Sequence, residues 1–217
     1  KRQGDVAVED YIKKGYLKEA LINFIALLGW HESNNQEFYT LAELKKVFSL
    51  DRVQNSGAVF DIQKLNWINQ HYIKKLDSEA IIELSKKYIP SDWTITPNMI
   101  NLIKEKLSTF SDIKNELSVF FLTPKVSNQD LLDKYPDSNI NVMIPIVING
   151  IKNHSTINKE ILNEIMNHTA SQTGCAGKKL WGPIRFILTE KDHGPDLASF
   201  ISIIGIDECI QRFKNVL

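Results

Sequence analysis

The periodicity of residues 61–76 constrains the fold more than any other feature of this chain. Leu65, Ile68, Tyr72, Ile73 and Leu76 stand at i, i+3, i+7, i+8 and i+11, a single apolar stripe on an α-helix. Asp61 precedes the stripe and suits the N-cap, because its carboxylate can accept from the orphan amides of the first turn. Val59 and Phe60 ahead of it read as a short extended apolar pair. Beside the stripe lie Asn66, Trp67, Asn69 and His71, which the stripe does not explain. They are either a solvated shoulder of a core helix or a functional face.

The same helical pattern recurs along the chain. Val8–Lys14 ends at Gly15, a residue that takes positive φ cheaply and so suits a helix end. Leu17–Leu28 follows, with Leu17, Leu21, Phe24, Ile25 and Leu28 as its apolar positions. Thr40 and Glu43 have the spacing of a capping box and open a short helix to Phe48, before a turn at Asn55-Ser56-Gly57. Beyond Asp77, helices are predicted over Ser78–Tyr88, from the Thr96-Pro97 cap to about Leu107, and over Ser111–Phe121 and Gln129–Tyr135. Asn139–Gly150 is apolar on most sides and interrupted by Pro145, so it is one kinked helix or two pieces. Ser155 or Thr156 caps a helix through His168, and Lys178–Thr189, Pro195–Ile204 and Asp207–Val216 complete the chain. The class is mainly α, with a few strand residues in the first 75.

Composition excludes several alternatives. At 43% hydrophobic and 24% charged, the 217 residues have the balance of a globular protein that can bury a core. No run approaches 18 apolar residues, so no membrane span is expected. Two cysteines, Cys175 and Cys209, do not make a disulfide framework and fit a reducing, cytoplasmic setting. The five histidines show no i,i+3 or i,i+4 pairing, so no metal site is expected. Thr173-Gly174-Cys175-Ala176-Gly177 lacks the Gly-Lys-Ser/Thr ending of a phosphate loop, and no Ser stands in a Gly-x-Ser-x-Gly frame. The start at Lys1, with no Met and no apolar leader, reads as a piece of something longer. The 26 basic and 26 acidic residues cancel, so any nucleic-acid binding must come from local patches: residues 1–76 carry 11 Lys and Arg against 9 Asp and Glu, and 152–191 carry 6 against 3.

The string from Ala58 to Ile73 resembles a segment of bacterial-type glutamyl-tRNA synthetases, Ala-Val-Phe-Asp-x-x-Lys-Leu-x-Trp-x-Asn-x-x-Tyr-Ile. It matches without a gap at Ala58, Val59, Phe60, Asp61, Lys64, Leu65, Trp67, Asn69, Tyr72 and Ile73. Gly15-Tyr16-Leu17 and Ala26-Leu27-Leu28-Gly29-Trp30 resemble the segment that follows the active site in that family, with Lys18 in place of a proline. The resemblance is continuous through residue 76, looser from 77 to 170, and returns at 181–217. It implies a stem-contact domain over 1–75 and two anticodon-binding helical subdomains over 76–124 and 125–217.

The resemblance also implies site residues. Lys1 matches the lysine of the second ATP signature, a role open only to an intact enzyme using ATP with Mg2+; the fragment alone needs no cofactor and catalyses nothing. Arg52 is a candidate phosphate contact, with an ion pair to Asp51 or Asp61 as the plain alternative. Asn69, His71 and Lys74 are placed to reach ribose or phosphate oxygens. Lys104-Glu105-Lys106 matches a basic triplet that helps read the anticodon, where Lys106 replaces an arginine of some members and offers a point charge rather than a planar fork. Trp181-Gly182-Pro183-Ile184-Arg185 resembles the family's Pro-Leu-Arg segment; with Pro183 at N1, Arg185 would sit at N3, where the helix dipole disfavours a cation. Such a cation needs a base, a phosphate, or else a salt bridge to Glu190 or Asp192. Gly194, Pro195 and Leu197 match a loop that faces the anticodon.

The function expected is therefore tRNA binding within a glutamate–tRNA ligase, a class I synthetase. The partner would be tRNA-Glu, with tRNA-Gln left open, and the chain a monomer. An α-helical protein–protein scaffold, or a non-catalytic paralogue binding another RNA, are the alternatives.

Overall fold

The computed structural model describes residues 7–217 except 33, 34, 55, 56 and 58. The expected turn at Asn55-Ser56-Gly57 and the hexapeptide from Lys1 thus lie wholly or partly outside the described residues. The chain divides into two compact units, Lys1–Glu116 and Leu117–Leu217. Among the described residues every regular element is a helix, and none is in a strand.

In the first unit, α1 (Val8–Lys13) and α2 (Lys18–Leu27) are separated by Gly15 at φ +87°. A Cβ there would fall 2.6 Å from the Phe110 backbone nitrogen, so this position requires glycine for both conformation and space. Then come α3 (Leu41–Val47), a 3-10 turn at Leu50–Arg52, α4 (Ile62–Lys75), α5 (Ser78–Ser85) and α6 (Pro97–Ile103). The local caps are those the sequence predicts. Thr40 and Glu43 close a capping box, Asp61 accepts from the amides of Gln63 and Lys64, and Thr96 accepts from Met99 with Pro97 at the helix start.

The core of this unit is the packing of α2 on α4: Ala20, Leu21 and Phe24 meet Leu65 and Ile68, all nearly or fully buried. Each of the Leu, Ile and Phe side chains contributes about 1.5–3 kcal/mol of burial. One of the apolar positions predicted on α2 differs from expectation. Ile25 is half exposed, whereas Asn23 is fully buried. The amide of Asn23 donates to Glu37 O and accepts from Tyr39 N and the Tyr72 hydroxyl.

Helix α7 (Ile113–Phe121) leads into the second unit, built from α8 (Asn128–Lys134), α9 (Ile140–Lys152), α10 (Lys159–Thr173), α11 (Lys178–Thr189), α12 (Leu197–Ile204) and α13 (Ile206–Lys214). Helix α9 is continuous: Pro145 lies on its exposed face, so the Asn141 carbonyl that loses its donor is on the solvent side. Helix α10 starts later than predicted, with Asn158 rather than Ser155 or Thr156 as its cap and its last turn reaching Thr173. Asn158 accepts from the Ile161 amide, and Ile157 just ahead of it is buried.

Helix α11 also contains a proline, Pro183, in its interior. The proline deprives the carbonyl of Lys179 of its i+4 donor. Ser138, itself 5% exposed, donates its hydroxyl to that carbonyl at 2.7 Å. Helix α13 closes the unit through Arg212, 2% exposed, whose Nη1 donates to Val119 O at 2.8 Å and Leu188 O at 2.7 Å. Both carbonyls belong to the last turns of their helices, α7 and α11, where no intrahelical donor exists.

Candidate nucleic-acid interface

Helix α11 presents two faces. Leu180, Pro183, Ile184, Ile187 and Leu188 are buried, whereas Lys178, Trp181, Gly182, Arg185 and Phe186 repeat at i, i+3, i+4, i+7 and i+8 on a face that is half-buried to exposed. A stripe of cations and aromatic rings is the pairing that stacks on nucleobases while attracting phosphates.

Arg185 lies in the middle of this helix, not at N3. The helix begins five residues before Pro183, after Gly177, and the Ser138 hydroxyl makes the internal proline tolerable. The dipole argument for an anionic partner at Arg185 therefore falls away. Neither Glu190 nor Asp192 pairs with it: Glu190 accepts from the Lys125 amide, and Asp192 is held by Lys134 and Tyr135. Instead the guanidinium Nη1 donates to the carbonyl of Pro195 at 2.8 Å. Gly194 makes room for it, since a Cβ there would lie 2.9 Å from that nitrogen. Burial lowers the Arg185 pKa and nearby Asp196 opposes the shift; an arginine remains cationic at neutral pH regardless.

The loop between α11 and α12 thus runs against the Arg185 face of α11. It carries three carboxylates, and all three are turned onto protein donors: Glu190, in the left-handed region at φ +54°, Asp192, and Asp196, which caps α12 through Ser199. Their negative charge is in part neutralised before any polyanion arrives. Within the loop, Gly194 is half-buried and Pro195 is buried with its carbonyl engaged. Leu197, 3% exposed, is a core residue of α12, so its side chain does not face a ligand as the resemblance suggested.

In the first unit, Asn69 is fully buried and serves as a strut: it accepts from Leu17 N at 2.8 Å and donates to Ser108 O at 2.6 Å. It has no reach toward ribose or phosphate, which corrects the expectation for this residue. His71 stacks on Phe38 with ring centroids 3.5 Å apart and an 11° interplanar angle, and its Nε2 is buried without a hydrogen-bond partner. Burial, with smaller contributions from Lys75 and Lys74, lowers its pKa, so the ring is neutral at pH 7. A neutral, covered imidazole nitrogen is a poor phosphate ligand.

Lys74 pairs with Glu105 and Arg52 with Glu32, the latter at 3.7 Å and not with Asp51 or Asp61. Lys104 and Lys106 lie on a 3-10 turn after α6. Lys106 lines a polar groove of about 640 Å³ with Lys14, Asn66 and Ser111, beside the hydrogen bond from the Tyr16 hydroxyl to Asn66. Lys1 lies outside the described residues. Among the described residues there is no cluster of three or more His, Cys, Asp or Glu able to hold a metal, and no helix is long and apolar enough to cross a membrane.

Sequence reasoning missed Lys134, Tyr135 and Phe186. Tyr135 packs where Gly182 has no side chain, with its Cε1 2.7 Å from the position a Cβ would take, and the Lys134 ammonium lies 3.9 Å from the centre of the Phe186 ring. For Phe186 the i, i+4, i+8 series Lys178, Gly182, Phe186 on the predicted helix was the available signal.

A helical second unit that displays an arginine and aromatic rings beside a structured loop carries the side chains that helical RNA-binding domains use. Residues 40–217 match the family described as anticodon binding domain, and the chain belongs to that family. Residues 1–67 match the model of the class I tRNA synthetase (E and Q) catalytic domain. The chain is 37% identical to a glutamate–tRNA ligase of Clostridioides difficile and 35% identical to that of Alkaliphilus metalliredigens, in each case over its whole length but only 46% of the relative. A crystal structure of a glutamate tRNA ligase from Elizabethkingia meningosepticum superposes with a TM-score of 0.82 at 30% identity, covering 94% of this chain and 41% of that one. The chain thus spans less than half the length of these relatives.

Proposed function

We propose that this chain is the tRNA-binding portion of a glutamate–tRNA ligase, which attaches glutamate to tRNA-Glu using ATP with Mg2+. By role it divides into a stem-contact domain (1–75) and two anticodon-binding parts (76–124 and 125–217). The observation that carries the reading is Arg185. A permanent cation is fixed by Pro195 O on a face shared with Trp181 and Phe186, in a chain matched by the anticodon-binding family from residue 40 onward. The fork of a guanidinium with one nitrogen anchored keeps its other donors for a base edge or phosphate.

The mechanism is positional. Contacts to the inner corner and to the anticodon loop orient the tRNA, and that binding energy is used to deliver the acceptor end to a catalytic domain. Arg52 and Lys74, each held by a carboxylate (Glu32 and Glu105), can exchange that partner for a phosphate. Lys104 and Lys106 supply further phosphate contacts, with Lys106 at the polar groove. Such contacts release counterions, so affinity must fall steeply with salt.

The test is binding of the chain to transcribed tRNA-Glu at 50 and 200 mM salt, with a tRNA of different identity as comparison. Preferential binding that weakens by at least tenfold over that range supports the reading. No binding, or equal and salt-independent binding of both RNAs, refutes it.

A further inference from the structure

The loop carrying Gly194 and Pro195 is anchored at three points, and one of them belongs to none of the matched motifs. Glu190 accepts from Lys125 N at 3.1 Å, and Arg185 binds Pro195 O at 2.8 Å. Between them, Asp192 receives Lys134 Nζ at 2.9 Å on Oδ1 and 3.0 Å on Oδ2, and the Tyr135 hydroxyl at 3.2 Å on Oδ1. These two donors come from the last residue of α8 and the one after it, more than fifty residues away in sequence.

The same two side chains also touch α11. The Tyr135 ring fills the space above Gly182, and the Lys134 ammonium sits on the face of Phe186, next to Arg185 in the chain. One pair of residues therefore grips both the loop, through Asp192, and the helix face, through Gly182 and Phe186. Slack at Asp192 would be felt at Pro195, three residues on, and hence at the guanidinium that leans on its carbonyl.

We propose that Tyr135 and Lys134 are positioning residues for anticodon recognition: by holding Asp192 they keep the 190–196 loop in register with Arg185. This rests on the reading of Arg185 as an anticodon contact. Their action is through Asp192, not by touching RNA. Burial and the adjacent Asp192 carboxylate push the Tyr135 phenol up to about 12, so at neutral pH it is a hydrogen-bond donor throughout.

The test measures affinity of the full chain for tRNA-Glu and for an anticodon-swapped tRNA-Glu, in the wild type and in Tyr135→Phe, Lys134→Met and Arg185→Ala. Tyr135→Phe keeps the ring over Gly182 and removes one hydrogen bond, so the fold is preserved. The expected result is a drop of about fivefold in the ratio of the two affinities for Tyr135→Phe and Lys134→Met, the scale of one lost hydrogen bond, with loop amides 191–194 exchanging faster. A merely structural role would weaken both tRNAs alike and leave the ratio unchanged. If Arg185→Ala abolishes discrimination while both α8 variants keep the wild-type ratio, the positioning role is wrong and the anticodon reading stands. If Lys134→Met weakens both tRNAs equally and Tyr135→Phe does nothing, Lys134 is a phosphate contact and the proposal is also overturned. If the wild type does not discriminate at all, the functional reading fails and this inference fails with it.

Discussion

Arg212 should be the most costly single residue to remove from the second unit. Its Nη1 serves two carbonyls, Val119 O and Leu188 O, in the last turns of α7 and α11, and its side chain is 2% exposed. Arg212→Met keeps most of the buried volume and leaves both carbonyls without a donor. Each orphaned buried acceptor costs about 1–3 kcal/mol, so the two together cost about 2–6 kcal/mol. The bond from Nε to Glu208 adds little, because the Glu208 side chain is 38% exposed and rehydrates. The expected loss is about 4 kcal/mol, close to a thousandfold in the opening equilibrium at 1.4 kcal/mol per decade. Arg212→Lys restores a charge but not the geometry that reaches both carbonyls, and should lose about half as much. Hydrogen exchange with mass spectrometry on peptides from α11 and α13 reads this directly, apart from unfolding in the first unit. A loss of protection below about fivefold in Arg212→Met would refute the double-capping argument.

Two further outcomes follow from buried polar groups. Ser138→Ala removes the hydroxyl that donates to the Lys179 carbonyl left unpaired by Pro183; it should destabilise the second unit by about 1–3 kcal/mol, while a Ser138→Ala, Pro183→Ala double variant should recover much of that loss in urea unfolding, because the helical amide is restored. His71 has a folded-state pKa lowered by burial, so below 6.5 the unfolded chain binds the proton more readily. Stability of the first unit should therefore fall as pH drops through about 6.5 and level off below the folded-state value. His71→Phe, which keeps the stack on Phe38, should flatten that slope in melting scans between pH 7.5 and 5; an unchanged slope would assign it to another group.

What was legible in the sequence was local. The caps at Asp61, Thr40 and Thr96 are set by residues within one turn, and all three form as expected. The stripe Leu65, Ile68 and Ile73 was legible from helical periodicity, and it is buried. Where several caps compete within four residues, as with Ser155, Thr156 and Asn158, local residue type does not choose between them; Asn158 is the one that caps, next to the buried Ile157. The predicted helix Lys178–Thr189 already encloses Pro183, whereas the family motif sets it at N1; its compensating donor, Ser138, lies 45 residues earlier and is invisible to any window around the proline. Asn69 carries the family motif, yet its amide is spent between Leu17 and Ser108, which only the folded chain brings to it. Arg185 and the loop at 194–195 were found by resemblance, and their mutual contact is new information from the fold. Lys134 and Tyr135 had no sequence signal, since their partner Asp192 is over fifty residues away.

The central claim is that Arg185 contributes to reading the anticodon. A double-mutant cycle tests it most directly: wild type and Arg185→Ala, each against tRNA-Glu and the same tRNA with a swapped anticodon, at one fixed salt concentration. The account predicts that Arg185→Ala weakens tRNA-Glu binding by about 1–3 kcal/mol and that the swapped tRNA, already weaker, loses little more, leaving a coupling energy well above zero. Equal losses on both RNAs would contradict it, and Arg185 would then be a sequence-indifferent phosphate contact.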